Sequence, residues 1–378
     1  MIKIIFWCPF IGKIGTPKAV INSAKALNAD KNFQCFIINS IGEFNDYKSI
    51  FKKENIGEIK FFRNSLINYL PKKGYFYSRL TFSIIFLLNF FPLFFFLKKN
   101  KNVIFIPYLL TSLPLIIFSI FNIKNKLFLK ISGKINYNFF RKFLYKISKD
   151  KIDQIFFQTK ESKEKFKKIF PFNNKKLNIL RDPIINKKEI ENLKKKKIEK
   201  KLLKINYFIS IGRLSQQKNF LFLLKCLKKL LSKNKKYKFI ILGDGEQLSE
   251  LKKYIRINNL EEYIYLLGYK KNVFRYIYNS QGLICSSLWE EPGFIIQEAS
   301  ACKKIILTSN CYSGPAEFLK FGKNGYIFKN NNFKSFIYNF KKMIKEKKLH
   351  KKKIENSFKE VNLYTEKTFV ENFKKYLV

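Results

Sequence analysis

The sequence holds one histidine, His350, in 378 residues. Its six cysteines, Cys8, Cys35, Cys226, Cys285, Cys302 and Cys311, include no CxxC pair. A zinc site draws on clustered His, Cys and carboxylate ligands, so this scarcity argues against a metal centre. The cysteines sit mostly in apolar, strand-like runs and read as reduced core residues of a cytoplasmic protein. Acidic residues are also scarce: 27 Asp and Glu stand against 75 Lys and Arg, for a formal charge of +48. Such an excess favours anionic lipid surfaces, phosphorylated substrates or nucleic acid. The Lys residues are spread through every segment, however, and no RNA- or DNA-binding motif with stacking aromatics at fixed spacing is present. Both facts argue against a nucleic-acid role. The opening MIKIIFWCPF lacks the basic lead, long apolar core and small-residue cleavage site of a signal peptide.

Long apolar runs are few. Residues 83–97 (SIIFLLNFFPLFFFL) are apolar but short, with Asn89 and Pro92 as interruptions. Residues 103–123 (VIFIPYLLTSLPLIIFSIFNI) carry no charge and are long enough to span a bilayer. Pro107 and Pro114 fall where a buried strand, a loop and a helix would break, and that reading is preferred. The Phe-rich faces would still allow this region to dip into a membrane interface.

The length is too great for one ordinary core and suggests two domains. In residues 1–185 short apolar runs (IKIIFWCPF, FQCFIINS, VIFIP, KLFLKIS, DQIFFQTK) alternate with helical patterns, which predicts a parallel sheet covered by helices. Residues 186–204 (NKKEIENLKKKKIEKKLLK) read as a Lys-rich linker or exposed helix. The alternation restarts over 205–360, with strands at INYFISIG, KFIILG, IYLLG, GLICSS, KIILTS and GYIFK. Residues 361–378 read as a helix that could cross back onto the first domain. The expected fold is α/β, two doubly wound Rossmann-like domains facing across a cleft. In such sheets ligands bind at the carboxyl ends of the strands.

Those ends are chemically distinctive in the second half. INYFISI is followed by Gly212, Arg213 and, five residues later, Lys218 at a helix start. Helix N-termini favour anions, and two cations there point to a diphosphate; two solvated charges are the plain alternative. KFIIL is followed by GDG, and IYLL by Gly268 and Tyr269. GLICSS is followed by LWEEPGFIIQEA, which places Glu290, Glu291 and Glu298 around a Pro-Gly turn. Carboxylates so grouped are either solvated bystanders or hydroxyl-binding groups at the mouth of a site. Pro292-Gly293 puts Glu290 in a loop and Glu298 in the early part of a following helix, converging from two directions.

The ordered set GRLSQQKNF, ILGDGEQLSELK, LLGYKKNV, SLWEEPGFIIQEASACKKIILTSN and SGPAEFL resembles the donor domain of the family-four (group 1) retaining glycosyltransferases of GT-B fold. The likeness is strong over about 205–328. It is weaker at the N-terminus, where IGKIGTPKAV is similar to that family's glycine loop. The resemblance implies that Glu290 lies by the donor sugar and that Glu298 binds ribose hydroxyls. It implies that Arg213 and Lys218 hold the diphosphate, and that Gly293, Phe294 and Ile295 form the turn that meets sugar and phosphate. Gly15 would approach the diphosphate, Gly212 opens the Arg–Lys loop, and Gly268 and Tyr269 would contact the base. Glu291 falls where relatives carry a small residue and reads as solvated. One departure stands out: relatives commonly carry a first-domain histidine, and here that stretch is LKISGKINYN, with Ser132, Gly133, Lys134 and Asn136, and Arg141 just beyond. The loop at Gly15 also has Thr16 in place of a second glycine.

The resemblance therefore implies a retaining, metal-independent transferase with no cofactor. It would use a nucleotide-diphosphate sugar, a UDP-sugar by preference, and a saccharide or lipid-linked saccharide acceptor in surface polysaccharide, lipopolysaccharide or glycolipid synthesis. The expected location is cytoplasmic, peripheral at the inner, anionic membrane face. The competing readings are a basic membrane- or nucleic-acid-binding protein and another GT-B nucleotide-sugar enzyme such as an epimerase.

Overall fold

A computed structural model describes residues 1–12, 15–71, 75–131, 133 and 138–377. The chain forms two compact units, one of Met1–Ile184 with Glu366–Val378, the other of Ile185–Thr365.

The first unit is built on seven parallel strands: β1 (Ile2–Trp7), β2 (Phe33–Asn39), β3 (Gly57–Lys60), β4 (Ile104–Pro107), β5 (Lys126–Lys130), β6 (Gln154–Phe157) and β7 (Leu177–Ile179). Their order is β3-β2-β1-β4-β5-β6-β7. β4 and the last four residues of β1 are buried, as expected of central parallel strands covered on both faces. Alternate side chains feed two cores. Ile4 and Phe6 join the core that packs the Thr16–Asn28 helix, whereas Ile5 and Trp7 join the opposite one.

Residues 103–123 fold as β4 followed by the Ser112–Ile120 helix. Residues 83–97 differ from the interrupted segment expected. They lie within one 25-residue helix, Tyr75–Lys99, that continues through Pro92. Pro92 withholds only one backbone N–H. The stripe Thr81, Ile85, Asn89, Leu93 and Leu97 is fully buried and holds the helix to the unit. Buried Asn89 donates its Nδ2 to the Ile85 carbonyl at 2.8 Å, one turn back in the same helix.

The second unit has six parallel strands: β8 (Tyr207–Ile211), β9 (Lys238–Leu242), β10 (Ile264–Leu266), β11 (Gly282–Cys285), β12 (Ile305–Ser309) and β13 (Tyr326–Phe328). Their order, β10-β9-β8-β11-β12-β13, reverses direction between β8 and β11. The Lys-rich stretch 186–204 is not a linker. It forms the helices Lys187–Lys194 and Lys200–Leu203 within this unit, and Ile190, Ile198 and Leu202 are buried. Asn272 donates its Nδ2 to the Leu193 carbonyl at 2.9 Å, and Lys270 pairs with Glu199 at 3.1 Å. The chain then leaves the second unit at Thr365. The Glu366–Lys374 helix packs on the Thr16–Asn28 helix of the first unit. His350 is half-buried, with Nε2 2.8 Å from the Met343 carbonyl.

Candidate active site

The reversal of strand order between β8 and β11 leaves a crevice at their carboxyl ends, the usual ligand position in a doubly wound sheet. Two loops meet there. The loop after β8 runs through Gly212 and Arg213 into a single 3-10 turn, Gln216–Lys218. Asn219, in the left-handed region at φ 54°, then starts the Phe220–Lys233 helix. The loop after β11 runs from Ser286 to Gly293 and starts the Phe294–Ala301 helix. Main-chain and side-chain bonds lock them together. Leu288 donates its N–H to the Gln217 carbonyl at 2.8 Å, Gln217 its Nε2 to the Trp289 carbonyl at 3.0 Å, and Ser286 its hydroxyl to the Lys218 carbonyl at 2.9 Å.

At the centre Lys218 Nζ donates to Glu290 Oε1 at 2.5 Å. The same oxygen accepts the Ser287 hydroxyl at 2.5 Å. Glu290 is 4% exposed. Its backbone is held to the loop after β12, with its N–H 2.6 Å from the Tyr312 carbonyl and its carbonyl 2.8 Å from the Ser313 N–H. A buried carboxylate needs such partners, since burial unpaired would cost several kcal/mol, on the order of the desolvation of one ion. Burial by itself would lower the Lys218 pKa. The Glu290 carboxylate beside it outweighs that, and the ammonium titrates above its ordinary value. Burial likewise pushes the Cys285 thiol up, helped by Glu290, so this cysteine is a neutral neighbour and not a nucleophile.

Gly293 caps the second helix at φ 83°, a conformation that a residue with a Cβ adopts only with strain. A Cβ there would also stand 3.2 Å from the Cβ and Cγ of Glu290. The turn therefore brings the helix N-terminus, with the N–H groups of Phe294 and Ile295 in its first turn, directly beside the carboxylate. Glu298 lies one turn further along this helix and is half-buried. The structure thus brings Lys218, Glu290 and Gly293 into contact and sets Phe294, Ile295 and Glu298 on the helix that they launch.

The remaining expected residues are more dispersed. Arg213 is half-exposed and pairs with Glu246 of the loop after β9 at 3.2 Å. Gly212 donates its N–H to the Leu242 carbonyl at 3.0 Å, and Gly268 accepts from the Gly243 N–H at 2.9 Å, so both stitch neighbouring strand ends. Tyr269 follows, exposed. Glu291 is half-buried, not solvated as expected. Gly15 is in the first unit, at the N-cap of the Thr16–Asn28 helix, where its carbonyl accepts the Ala19 N–H at 3.1 Å. Ser132, Lys134 and Asn136 lie outside the described residues, and Arg141 is exposed on the Phe139–Ile147 helix. Ser287 was missed from the sequence. Its only signal was a hydroxyl three residues before a glutamate at a strand end. Among the described residues no group of three or more His, Cys, Asp or Glu is placed to hold a metal ion.

This geometry coincides with a family match. Residues 191–360, under half of the chain and almost all of them in the second unit, fit the model described as "Glycosyl transferases group 1". Solved structures of similar fold include Anabaena HepE in complex with UDP and glucose (TM-score 0.75, 14% identity, 100% of this chain and 99% of that one). TarM is another (TM-score 0.76, 14% identity, 100% and 98%). At this identity the likeness shows the fold: two parallel sheets, each with its helices, as in the GT-B structures. Among curated relatives, an uncharacterized glycosyltransferase of Methanocaldococcus jannaschii is 33% identical over 182 residues, 47% of this chain and 44% of the relative. A Campylobacter jejuni N-acetylgalactosaminyltransferase named for a diphospho-undecaprenol acceptor is 29% identical over 210 residues, 56% of each chain. The chain thus spans about half the length of these curated relatives.

Proposed function

We propose that this chain transfers a sugar from a UDP-sugar to a lipid-linked saccharide, retaining the anomeric configuration and using no metal. The observation that carries the reading is the buried Lys218–Glu290 pair at the switch point of the unit that fits the group 1 glycosyltransferase model. Breaking the bond between a sugar and a diphosphate builds negative charge on the leaving phosphate. A fixed ammonium at a helix start, kept protonated by its neighbour, stabilises that charge more than it does the ground state. Arg213 would turn from Glu246 to the same diphosphate, and the N–H groups at Phe294 and Ile295 would complete the anion site. Glu290 has one oxygen committed to Lys218 and Ser287, leaving the other to accept a donor-sugar hydroxyl. Glu298 would accept ribose hydroxyls, and Gly268 and Tyr269 would meet the base. With charge supplied by side chains and a helix dipole, the chemistry needs no cation.

The acceptor class is supported by the names of relatives. Besides the C. jejuni transferase, an Escherichia coli enzyme named as a UDP-Gal:GlcNAc-diphosphoundecaprenol galactosyltransferase is 32% identical over 161 residues, 41% of this chain and 40% of that one. The test incubates the purified full chain with a panel of UDP- and GDP-sugars and polyprenyl-diphosphate saccharides, with and without EDTA. Nuclear magnetic resonance of the product reads the anomeric configuration. Lys218→Ala and Glu290→Gln are run alongside. Turnover that is equal in all three proteins would sink the assignment, and an inverted product would sink retention.

A further inference from the structure

In the first unit, the Tyr75–Lys99 helix has two apolar faces. One carries the buried stripe from Thr81 to Leu97 and packs against the unit's core. The other presents Phe76, Leu87, Phe91 and Phe95, exposed at 72%, 71%, 64% and 61%. A helix that covers a sheet in water has a polar outer face; one apolar all round faces something other than water. Length and composition alone would let this helix cross a bilayer. Its inner face, with Asn89 and Thr81 buried in the unit, ties it to the protein surface instead.

The apolar surface continues beyond this helix. The Ser112–Ile120 helix packs against both the Tyr75–Lys99 and the Phe139–Ile147 helices, and all three share one core. Ile120 is exposed at the end of the middle helix. The Phe139–Ile147 helix buries Leu144 and Tyr145 and exposes Phe139, Phe140, Phe143 and Ile147 beside exposed Arg141, Lys142 and Lys146. Lys98 and Lys99 are exposed at the end of the long helix, with Lys98 Nζ 5.6 Å from the centre of the Phe94 ring. The charge of the region has one sign. Between Glu58 and Asp150 the sequence has sixteen Lys and Arg and not one acidic residue.

We propose that these three helices form an in-plane docking surface for an anionic phospholipid bilayer. The exposed Phe side chains would enter the acyl boundary, and the Arg and Lys at the helix ends would meet the headgroups. Aromatic insertion and cation attraction are two separate signals, and stable peripheral binding takes two. A protein partner would suit the apolar area, but a region of ninety-odd residues without a single carboxylate matches a uniformly anionic surface better. The inference does not depend on the donor chemistry, because binding is read without any sugar transfer.

The test is vesicle flotation of the full chain, comparing phosphatidylcholine vesicles with phosphatidylcholine–phosphatidylglycerol vesicles. Two double variants accompany it: Phe91→Gln with Phe95→Gln, and Lys142→Glu with Lys146→Glu. All four positions are exposed, so circular dichroism and melting temperature should match the parent. The parent should float with the anionic vesicles, and each variant should lose about tenfold in partitioning. Raised salt should weaken the parent and leave the aromatic contribution in place. The proposal is overturned if the parent does not float with either vesicle, or if both variants float as well as it does. It is also overturned if the parent sediments as a dimer that the Phe variant dissolves, which would make the face a contact between copies.

Discussion

Lys218 and Glu290 are 72 positions apart in sequence and 2.5 Å apart in space, each on the loop that leaves one side of the strand reversal. The pair is largely buried, with side-chain exposures of 19% for Lys218 and 6% for Glu290. The pair therefore has two roles that can be separated by substitution: holding the loops together, and presenting a cation to a leaving group.

The structural role predicts non-additive stability. Lys218→Met strands a buried carboxylate and should cost about 3 kcal/mol, as should Glu290→Leu for the opposite reason. The double variant should cost clearly less than the two together, because neither charge is then left without its partner. Urea unfolding of the four proteins checks this; simple addition would mean that the pair is not coupled.

The chemical role predicts a different pattern. Glu290→Gln keeps shape and one acceptor, yet should lower kcat by about a hundredfold if the carboxylate meets the donor sugar. Ser287→Ala removes the hydroxyl that donates to Glu290 and stands 3.4 Å from Cys285 Sγ. It should cost about 2 kcal/mol in stability, with a smaller fall in kcat and little change in donor KM. Ser287→Thr should recover most of both. A Ser287→Ala variant that loses donor binding outright would instead place the hydroxyl on the substrate.

Arg213 tests the diphosphate site. Its pairing with Glu246 is half-exposed, so breaking it should hardly change the stability of the free protein. UDP at about a hundred times its Kd should stabilise the native state by about 2.7 kcal/mol through linkage. Arg213→Ala should leave the melting temperature of the free protein alone and shrink the shift that UDP produces. An undiminished shift would remove Arg213 from the site.

A pH dependence follows from the first unit. Glu43 is buried at the carboxyl end of β2, and burial raises its pKa from 4.5 to about 7 against the pull of the Ser40 and Ile41 N–H groups. The folded state thus holds its proton more tightly than the unfolded chain. The associated stability is fully present below pH 4.5 and is lost as pH rises to about 7, by roughly 3 kcal/mol. Glu43→Gln should flatten that slope. Lys218 has the same sign in a higher window: its folded pKa is raised, so its contribution persists at neutral pH and fades only in strong alkali.

Much of this was legible in the sequence, for definable reasons. Short apolar runs such as KFIIL and GLIC are buried on both faces, so their strands are plain in composition, and the alternation with helices gives the fold class. The Glu290–Gly293 turn was legible because Pro and Gly punctuate it. Asn89 and Pro92 misled, since a helix held by a fully buried stripe tolerates both, and tertiary packing is invisible in local pattern. The Lys-rich stretch misled for the converse reason: three buried apolar residues, Ile190, Ile198 and Leu202, suffice to dock it, and the lysines around them mask the signal. Ser287 could not be found because a serine at a strand end looks the same whether it packs or donates.

The Glu366–Lys374 helix sends Phe369 and Phe373 into the first unit's core, where the Phe373 ring centre lies 5.9 Å from that of Phe33 and 6.1 Å from that of Phe128. During synthesis, all of Ile185–Thr365 must leave the ribosome before those rings arrive. The core that is begun first is therefore closed last. Until then it carries an open apolar groove beside the Thr16–Asn28 helix, while the later-made unit has every strand and helix it needs to close on its own.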